Sequence, residues 1–213
     1  ILGPDTEEAG DLWFSYVLSS MALSFQTEYF ERNGEFCFEE AYKKLNNAIQ
    51  AGNEILIIGP PFRILELCEY IVKVNGNLAL PGNSFVVSAG GWKNRQREAI
   101  PRQEYKSKVK STFGIDLCAV RDSFNMVELN TVVNECEYHQ KHVLPWMNVV
   151  ARDPKTNEVL QDGEVGILAF YDSTSFSYPC FILSEDYGIT YSDKCDCGRI
   201  GKRFEIVRRM NRI

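Results

Sequence analysis

Apolar positions along the first half of the chain alternate between two patterns. Leu12, Trp13, Tyr16, Val17 and Met21 recur at helical spacing. Asp5-Thr6-Glu7-Glu8 ahead of them supplies a capping residue followed by acids, the composition of a helix start. Phe38, Ala41, Tyr42, Leu45, Ala48 and Ile49 mark a second amphipathic helix, with Gly52 as its stop. Ile55-Leu56-Ile57-Ile58 is a short continuous apolar run, which predicts a strand buried on both faces. Gly59-Pro60-Pro61 breaks it, and Leu65, Leu67, Cys68, Ile71 and Val72 resume a helix. Residues 84–88 read as another buried strand, 102–113 as a helix and 115–120 as a third strand. This alternation predicts an α/β layer with a largely parallel sheet.

After about residue 130 the pattern changes. Val143 to Ala151, Glu164 to Tyr171 and Cys180 to Leu183 have strand character. Turn signals separate them at Asp153-Pro154-Lys155, Asp162-Gly163 and Ser184 to Gly188. Arg203 to Met210 alternates as an edge strand would. The expectation is an α/β sheet unit over residues 1–130 and a smaller, mostly antiparallel β-rich unit over 131–213.

Composition narrows the function. At 213 residues and 45% hydrophobic the chain can bury a real core. Net charge −6 and a pI of about 5.1 argue against nucleic acid or an anionic membrane as partner. No apolar run approaches the ~18 residues of a spanning helix, and no secretory signal is visible. Seven cysteines, an odd number, fit a reducing cytoplasmic setting with thiols free or metal-bound. Cys37, Cys68, Cys118 and Cys180 are expected as small core hydrophobes. Cys136, His142, Cys195 and Cys197 make a Cys₃His donor set suited to zinc, with His139 as the competing imidazole. Four protein ligands leave no open position, so such an ion would be structural.

Four further signatures stand in fixed order: Ala89-Gly90-Gly91-Trp92, Phe124-Asn125-Met126-Val127-Glu128, Ser184-Glu185-Asp186-Tyr187-Gly188 and Arg208-Arg209-Met210-Asn211-Arg212. Together with Leu56-Ile57-Ile58-Gly59-Pro60-Pro61, Arg121-Asp122, Leu129-Asn130, His142-Val143-Leu144-Pro145-Trp146 and Ser177-Tyr178-Pro179, they resemble the acyl-protein synthetase family. That is the family of the long-chain-fatty-acid–luciferin-component ligases. The chain is more distantly similar to phenylacetate–coenzyme A ligases, within the adenylate-forming superfamily.

The resemblance implies part of a large N-terminal domain, a mixed sheet with flanking helices plus a β-rich subdomain. It implies an enzyme that uses ATP and Mg²⁺ to convert a carboxylic acid, a fatty acid in the nearer relatives, to an acyl-adenylate. The acyl group would pass to a thiol or hydroxyl on an acceptor protein, or to coenzyme A. It assigns Gly90 and Gly91 to the adenine, where side-chain-free backbone lets a flat base approach. It assigns Asp186 to the ribose hydroxyls, Arg209 to ribose or phosphate, and Glu128 to Mg²⁺ as a hard oxygen ligand. Trp92 would line the acyl or base pocket. The coenzyme A ligase type also carries a similar Cys…His…Cys-x-Cys-Gly-Arg pattern.

The family run before the glutamate is aromatic-Gly-x-Thr. Here the glycine is Asn125 and the threonine is Val127, which has no hydroxyl to offer the α-phosphate. Without the family role, Glu128 reads as an exposed residue opening a helix. The family's phosphate loop is expected before Ile1, and its mobile C-terminal domain, with the catalytic lysine and an acyl-accepting cysteine, beyond a hinge near Arg212. Three readings follow: an acyl-protein synthetase, an acyl- or aryl-coenzyme A ligase, or a non-catalytic nucleotide- or acyl-adenylate-binding module.

Overall fold

The computed structural model describes residues 1–10, 13–176 and 179–210. Leu12, Ser177, Tyr178, Asn211 and Arg212, named above, lie outside them. The described chain divides into two compact units, Ile1–Asp122 and Ser123–Ile213.

The first unit runs α1 (Trp13–Ala22), β1 (Glu31–Arg32), β2 (Glu35–Phe36), α2 (Phe38–Gln50), β3 (Leu56–Gly59), α3 (Pro61–Asn75), β4 (Phe85–Ala89) and α4 (Arg102–Phe113), and ends in the first half of β5 (Val120–Phe124). β3 and β4 pair in parallel, Leu56 opposite Phe85 and Gly59 opposite Ser88. α2 carries Glu39 and Glu40 in its first turn, where the helix dipole favours acids, and buries Ala41 and Leu45. α3 begins with Pro61, whose fixed φ suits the first helical position, and buries Ile64, Leu67, Cys68 and Ile71. Those side chains meet Ile57, Val86, Tyr105, Val109, Phe113 and Val120 in one core.

Three expectations need correction here. Asp5 does not cap α1. Its Oδ1 accepts from the amides of Glu7 and Glu8, 3.0 Å each, inside a turn of its own, and α1 is Trp13–Ala22. The third strand is not 115–120. Leu117–Ala119 is a short 3₁₀ turn and the strand is Val120–Phe124, whose polar middle hid it. Cys118 and Cys180 are exposed rather than core residues; only Cys68 of the four is fully buried. The structure adds the hairpin β1–β2, closed by Asn33-Gly34, both at positive φ and a strong turn signal.

The second unit starts within β5, ahead of the change of pattern near residue 130, because Phe124, Met126 and Leu129 pack into its core. It contains the end of β5, β6 (Val133–Asn134), β7 (Lys141–His142), β8 (Met147–Arg152), β9 (Gly166–Asp172), β10 (Phe181–Tyr191) and β11 (Arg203–Arg209). The last five form an antiparallel sheet in the order β7-β11-β10-β9-β8. The Ser184–Gly188 segment is therefore not a turn. It lies inside the 11-residue β10, whose register shifts between Leu183 and Tyr187 against β9 and between Tyr187 and Gly188 against β11. A bulge absorbs the turn-forming residues without ending the strand. β11 is not a full edge strand either, since β7 covers Arg203 and Phe204.

Phe124, Phe170 and Phe204 centre this unit's core, with ring centroids 5.3 to 5.5 Å apart. Among the described residues no helix is long and apolar enough to cross a membrane. Phe170→Ala removes the ring shared by both other partners. It is expected to lower unfolding free energy by about 3–5 kcal/mol in urea denaturation. A loss below ~1 kcal/mol would mean the trio does not organise the unit.

Candidate functional site

The second unit brings Cys136, His142, Cys195 and Cys197 together, with ligand atoms all within 4.8 Å of one another. Two local devices do this. The amide of Cys136 donates to the Gln140 carbonyl and that of His139 to the Cys136 carbonyl, closing a tight turn that ends in β7 and His142. The amide of Cys195 donates to the Arg199 carbonyl and that of Gly198 to the Cys195 carbonyl, closing a second turn on the β10–β11 connection. His142 stands opposite Arg203 on β11, so the first turn is held beside the second.

Cys136 Sγ lies 3.9 Å from Cys195 Sγ, and Cys197 Sγ lies 3.3 Å from His142 Nε2. A tetrahedral zinc with bonds of about 2.3 Å to sulfur has S···S edges of about 3.8 Å, so the donor set fits that ion. Burial lowers the pKa of His142, helped by Arg199 and Arg203, and so favours the neutral imidazole that a metal needs. Burial pushes the Cys195 thiol up. At Cys197 burial acts upward too, but the backbone at Arg199 and the thiols of Cys195 and Cys136 outweigh it and bring the thiol down. His139 is not a fourth-ligand competitor. Its Nδ1 faces Glu135 Oε2 at 3.5 Å.

Glu135 is nearly fully buried and pairs with Lys141 at 3.2 Å, directly beside this cluster. Nothing in the sequence marked the pair, because two buried charges of opposite sign look like two surface charges until the fold is known.

Asp186 and Arg209 stand opposite each other in the β10–β11 register. The Arg209 guanidinium does not bond Asp186; it pairs with Glu185 at 3.2 Å. The Asp186 carboxylate accepts no hydrogen bond from the described residues. Burial raises its pKa, with the neighbouring Glu185 adding to this and Arg209 opposing it. It is a half-buried acceptor with its valence open.

Glu128 does not open a helix. The Leu129 amide donates to the Met126 carbonyl at 3.0 Å, placing Val127 and Glu128 at the apex of a tight turn. Val127 is exposed. The Glu128 carboxylate likewise has no hydrogen-bond partner among the described residues, while its carbonyl accepts from Ser175 Oγ.

Gly90 and Gly91 belong to the first unit. They follow β4 with φ of 81° and 65°, a left-handed pair that requires glycine. Trp92 follows them, partly exposed. A cavity of about 960 Å³ in the first unit, lined by Leu18, Ala22, Phe25, Ala41, Leu45 and Ile57 among others, includes none of these candidate residues.

The family model described as "Acyl-protein synthetase, LuxE" matches residues 1–213. The long-chain-fatty-acid–luciferin-component ligase of Aliivibrio fischeri is 36% identical over 211 residues, covering 99% of this chain and 56% of the ligase. That of Vibrio harveyi is 35% identical over 210 residues, covering 98% and 55%. The chain thus spans little more than half the length of these relatives.

Among solved structures, a 2-hydroxyisobutyryl-CoA ligase in complex with 2-HIB-AMP and CoA matches with a TM-score of 0.66 at 17% identity, covering 89% of this chain and 40% of the ligase. ATP-bound MatB of Rhodopseudomonas palustris matches at 0.61 and 14%, covering 92% and 37%. The long-chain-fatty-acid-CoA ligase of Archaeoglobus fulgidus matches at 0.60 and 12%, covering 93% and 42%. These likenesses establish a fold shared with the N-terminal domains of adenylate-forming enzymes.

The raised pKa of Asp186 has a consequence for stability. Its folded-state pKa lies above the unfolded one, so the ionised side chain is a burden on the fold at neutral pH. That burden vanishes as pH falls below the unfolded value. Asp186→Asn is expected to be at least as stable as the parent at neutral pH, with the difference gone below about pH 3. Urea denaturation at both pH values tests this. A variant clearly less stable at neutral pH would show that attraction to Arg209 outweighs burial.

Proposed function

This chain belongs to the acyl-protein synthetase (LuxE) family, and on that premise we propose that it serves an enzyme activating a fatty acid with ATP. The carboxylate oxygen of the acid attacks the α-phosphorus of ATP, the bond to the bridging oxygen breaks, and pyrophosphate leaves. A thiol or hydroxyl of an acceptor protein then attacks the acyl carbon of the adenylate, gives up its proton, and AMP leaves. The first step is needed because a bare carboxylate would have to expel an oxide, whereas AMP is a good leaving group. The site's task is alignment and neutralisation of the charge that develops on phosphate.

The observation that carries this reading is the family match over every residue of the chain. Roles follow for particular side chains. Asp186, with its acceptor valence open, takes the ribose hydroxyls. Gly90 and Gly91 border the adenine. Arg209 reaches ribose or phosphate. Glu128 would hold Mg²⁺ as a hard oxygen ligand, and the cation would supply neutralisation of phosphoryl charge.

Coenzyme A as acceptor is the second reading, favoured by the Cys₃His cluster with its Cys-Gly-Arg turn. ATP–pyrophosphate exchange on the full-length gene product, with fatty acids from short to long, tests the first step. Glu128→Gln should slow it about a hundredfold, the scale of losing one electrostatic contact. Nucleotide binding with no exchange for any acid would instead make the protein a non-catalytic binding module. Acyl transfer to coenzyme A and none to protein would select the second reading.

Zinc is the ion proposed for Cys136, His142, Cys195 and Cys197, as a staple between two turns with no open position for substrate. Elemental analysis should find one zinc per chain. Cys195→Ser and Cys197→Ser should each lose it and lower the unfolding temperature. Metal-free protein of unchanged stability would rule out a structural ion.

A further inference from the structure

The turn that carries Glu128 is held by a buried charge that the proposed reaction does not use. Asp172, the last residue of β9, is 0% exposed. Its Oδ2 accepts from the Thr131 amide at 3.0 Å. Its Oδ1 accepts from the Thr174 amide at 3.0 Å and the Thr174 hydroxyl at 2.6 Å. Burial alone would push this carboxyl up, but the Thr174 and Thr131 donors outweigh it and hold it below the ordinary range. An ionised carboxylate buried this completely is a strong anchor, because loss of any donor leaves charge unpaired.

What Asp172 anchors is the segment on either side of Glu128. Thr131 lies three residues after it. Thr174, fixed by Asp172, offers its carbonyl to Asn130 Nδ2 at 2.8 Å. Ser175, next in the chain, donates its hydroxyl to the Glu128 carbonyl. Trp146 Nε1 donates to Thr131 Oγ1 at 2.9 Å, tying the same segment to the start of β8. From the other side, Asn125 Nδ2 donates to the carbonyls of Leu129 and Thr131, at 3.1 and 3.0 Å. Leu129 is sunk in the core, so Glu128 sits between a buried side chain and a bonded strand end.

We propose that Asp172 is a positioning residue for Glu128, acting through Thr131 and the Thr174–Ser175 segment to set where the Glu128 carboxylate meets a nucleotide-bound divalent cation. This rests on the proposed role of Glu128 in holding Mg²⁺. A carboxylate that must share a small, rigidly octahedral ion with phosphate oxygens gains little unless its backbone is fixed, and outer partners of metal ligands characteristically supply that fixing. Sequence reasoning overlooked Asp172 because Asp-Ser-Thr-Ser after a strand reads as an ordinary turn.

The test separates metal positioning from folding. ATP binding to the full-length protein is measured calorimetrically with saturating Mg²⁺ and with no divalent cation added. The ratio of the two dissociation constants is the contribution of the cation. Glu128→Gln should collapse that ratio. Asp172→Asn should lower it about tenfold, the lower end of what outer-partner changes do to metal affinity. Thr174→Val, which removes a single hydroxyl donor, should move it the same way, and carries the test if Asp172→Asn does not fold.

Combining Asp172→Asn or Thr174→Val with Glu128→Gln should give a ratio no lower than Glu128→Gln alone, since both act through one carboxylate. A merely structural role would weaken both dissociation constants equally and leave the ratio untouched, which would overturn the proposal while sparing the role of Glu128. Additive losses in the double variant would overturn it too. No effect of Glu128→Gln on the ratio would remove the proposed Mg²⁺ role and this inference with it.

Discussion

The antiparallel register of β10 on β11 is the constraint from which both candidate sites of the second unit follow. With Asp186 opposite Arg209 at one end and Tyr191 opposite Arg203 at the other, the connection between the strands must close at the Arg203 end. Arg203 also pairs with His142 on β7, so the Cys195–Cys197 turn is delivered beside the histidine and Cys136. A slip of one residue would turn Asp186 to the opposite face and part the cysteines from the imidazole. Gly188 helps exclude such a slip. A methyl there would collide with the Glu205 carbonyl and lie 2.6 Å from Leu168 Cδ1, so the strands meet at a spacing only glycine permits.

The division of labour within the sheet is also physical. Its core side is filled by aromatic rings and aliphatics that need no partners beyond each other. Two open acceptors lie where regular pairing is interrupted. Asp186 lies within the bulged stretch of β10, and Glu128 at a turn apex beyond β5. Regular pairing satisfies backbone and leaves side chains to alternate, whereas bulges and turn apices redirect them. On the proposed reading, the unsatisfied carboxylates at these two places are where a ligand completes the bonding.

Much of this was legible in the sequence where the signal is a period or a donor set. The α4 helix matched its predicted span, α2 and α3 were found from their apolar faces, and the α/β-then-antiparallel order was visible in the change of texture. The Cys₃His set was legible from residue chemistry, although Cys136 and Cys195 stand 59 positions apart. What was hidden depended on long-range pairing. Ser184–Gly188 carries turn residues, and only the neighbours β9 and β11 make it a strand. Two differences were local instead: β5 has a polar middle, and Asp5 caps a turn of its own. Asp172 combines both cases: two of its donors come from Thr174 in a turn that looks ordinary, and the third from Thr131, forty-one positions away.

The departures from the family's aromatic-Gly-x-Thr run fit this picture of the Glu128 loop. Asn125 replaces flexible glycine with an amide that bridges two carbonyls across the loop, exchanging backbone freedom for a fixed cross-link. Val127 stands exposed at the apex, and its side chain can donate nothing. The nearby hydroxyls are already occupied, Thr174 on Asp172 and Ser175 on the Glu128 carbonyl. On the proposed reading, a loop that offers no hydroxyl to the α-phosphate must do its work through charge, by a cation held at Glu128 and by Arg209. Charge acts over longer distances than a hydroxyl bond but has no direction of its own. Direction must then come from the rigidity of the loop, and that rigidity is what Asn125 on one side and Asp172 on the other supply.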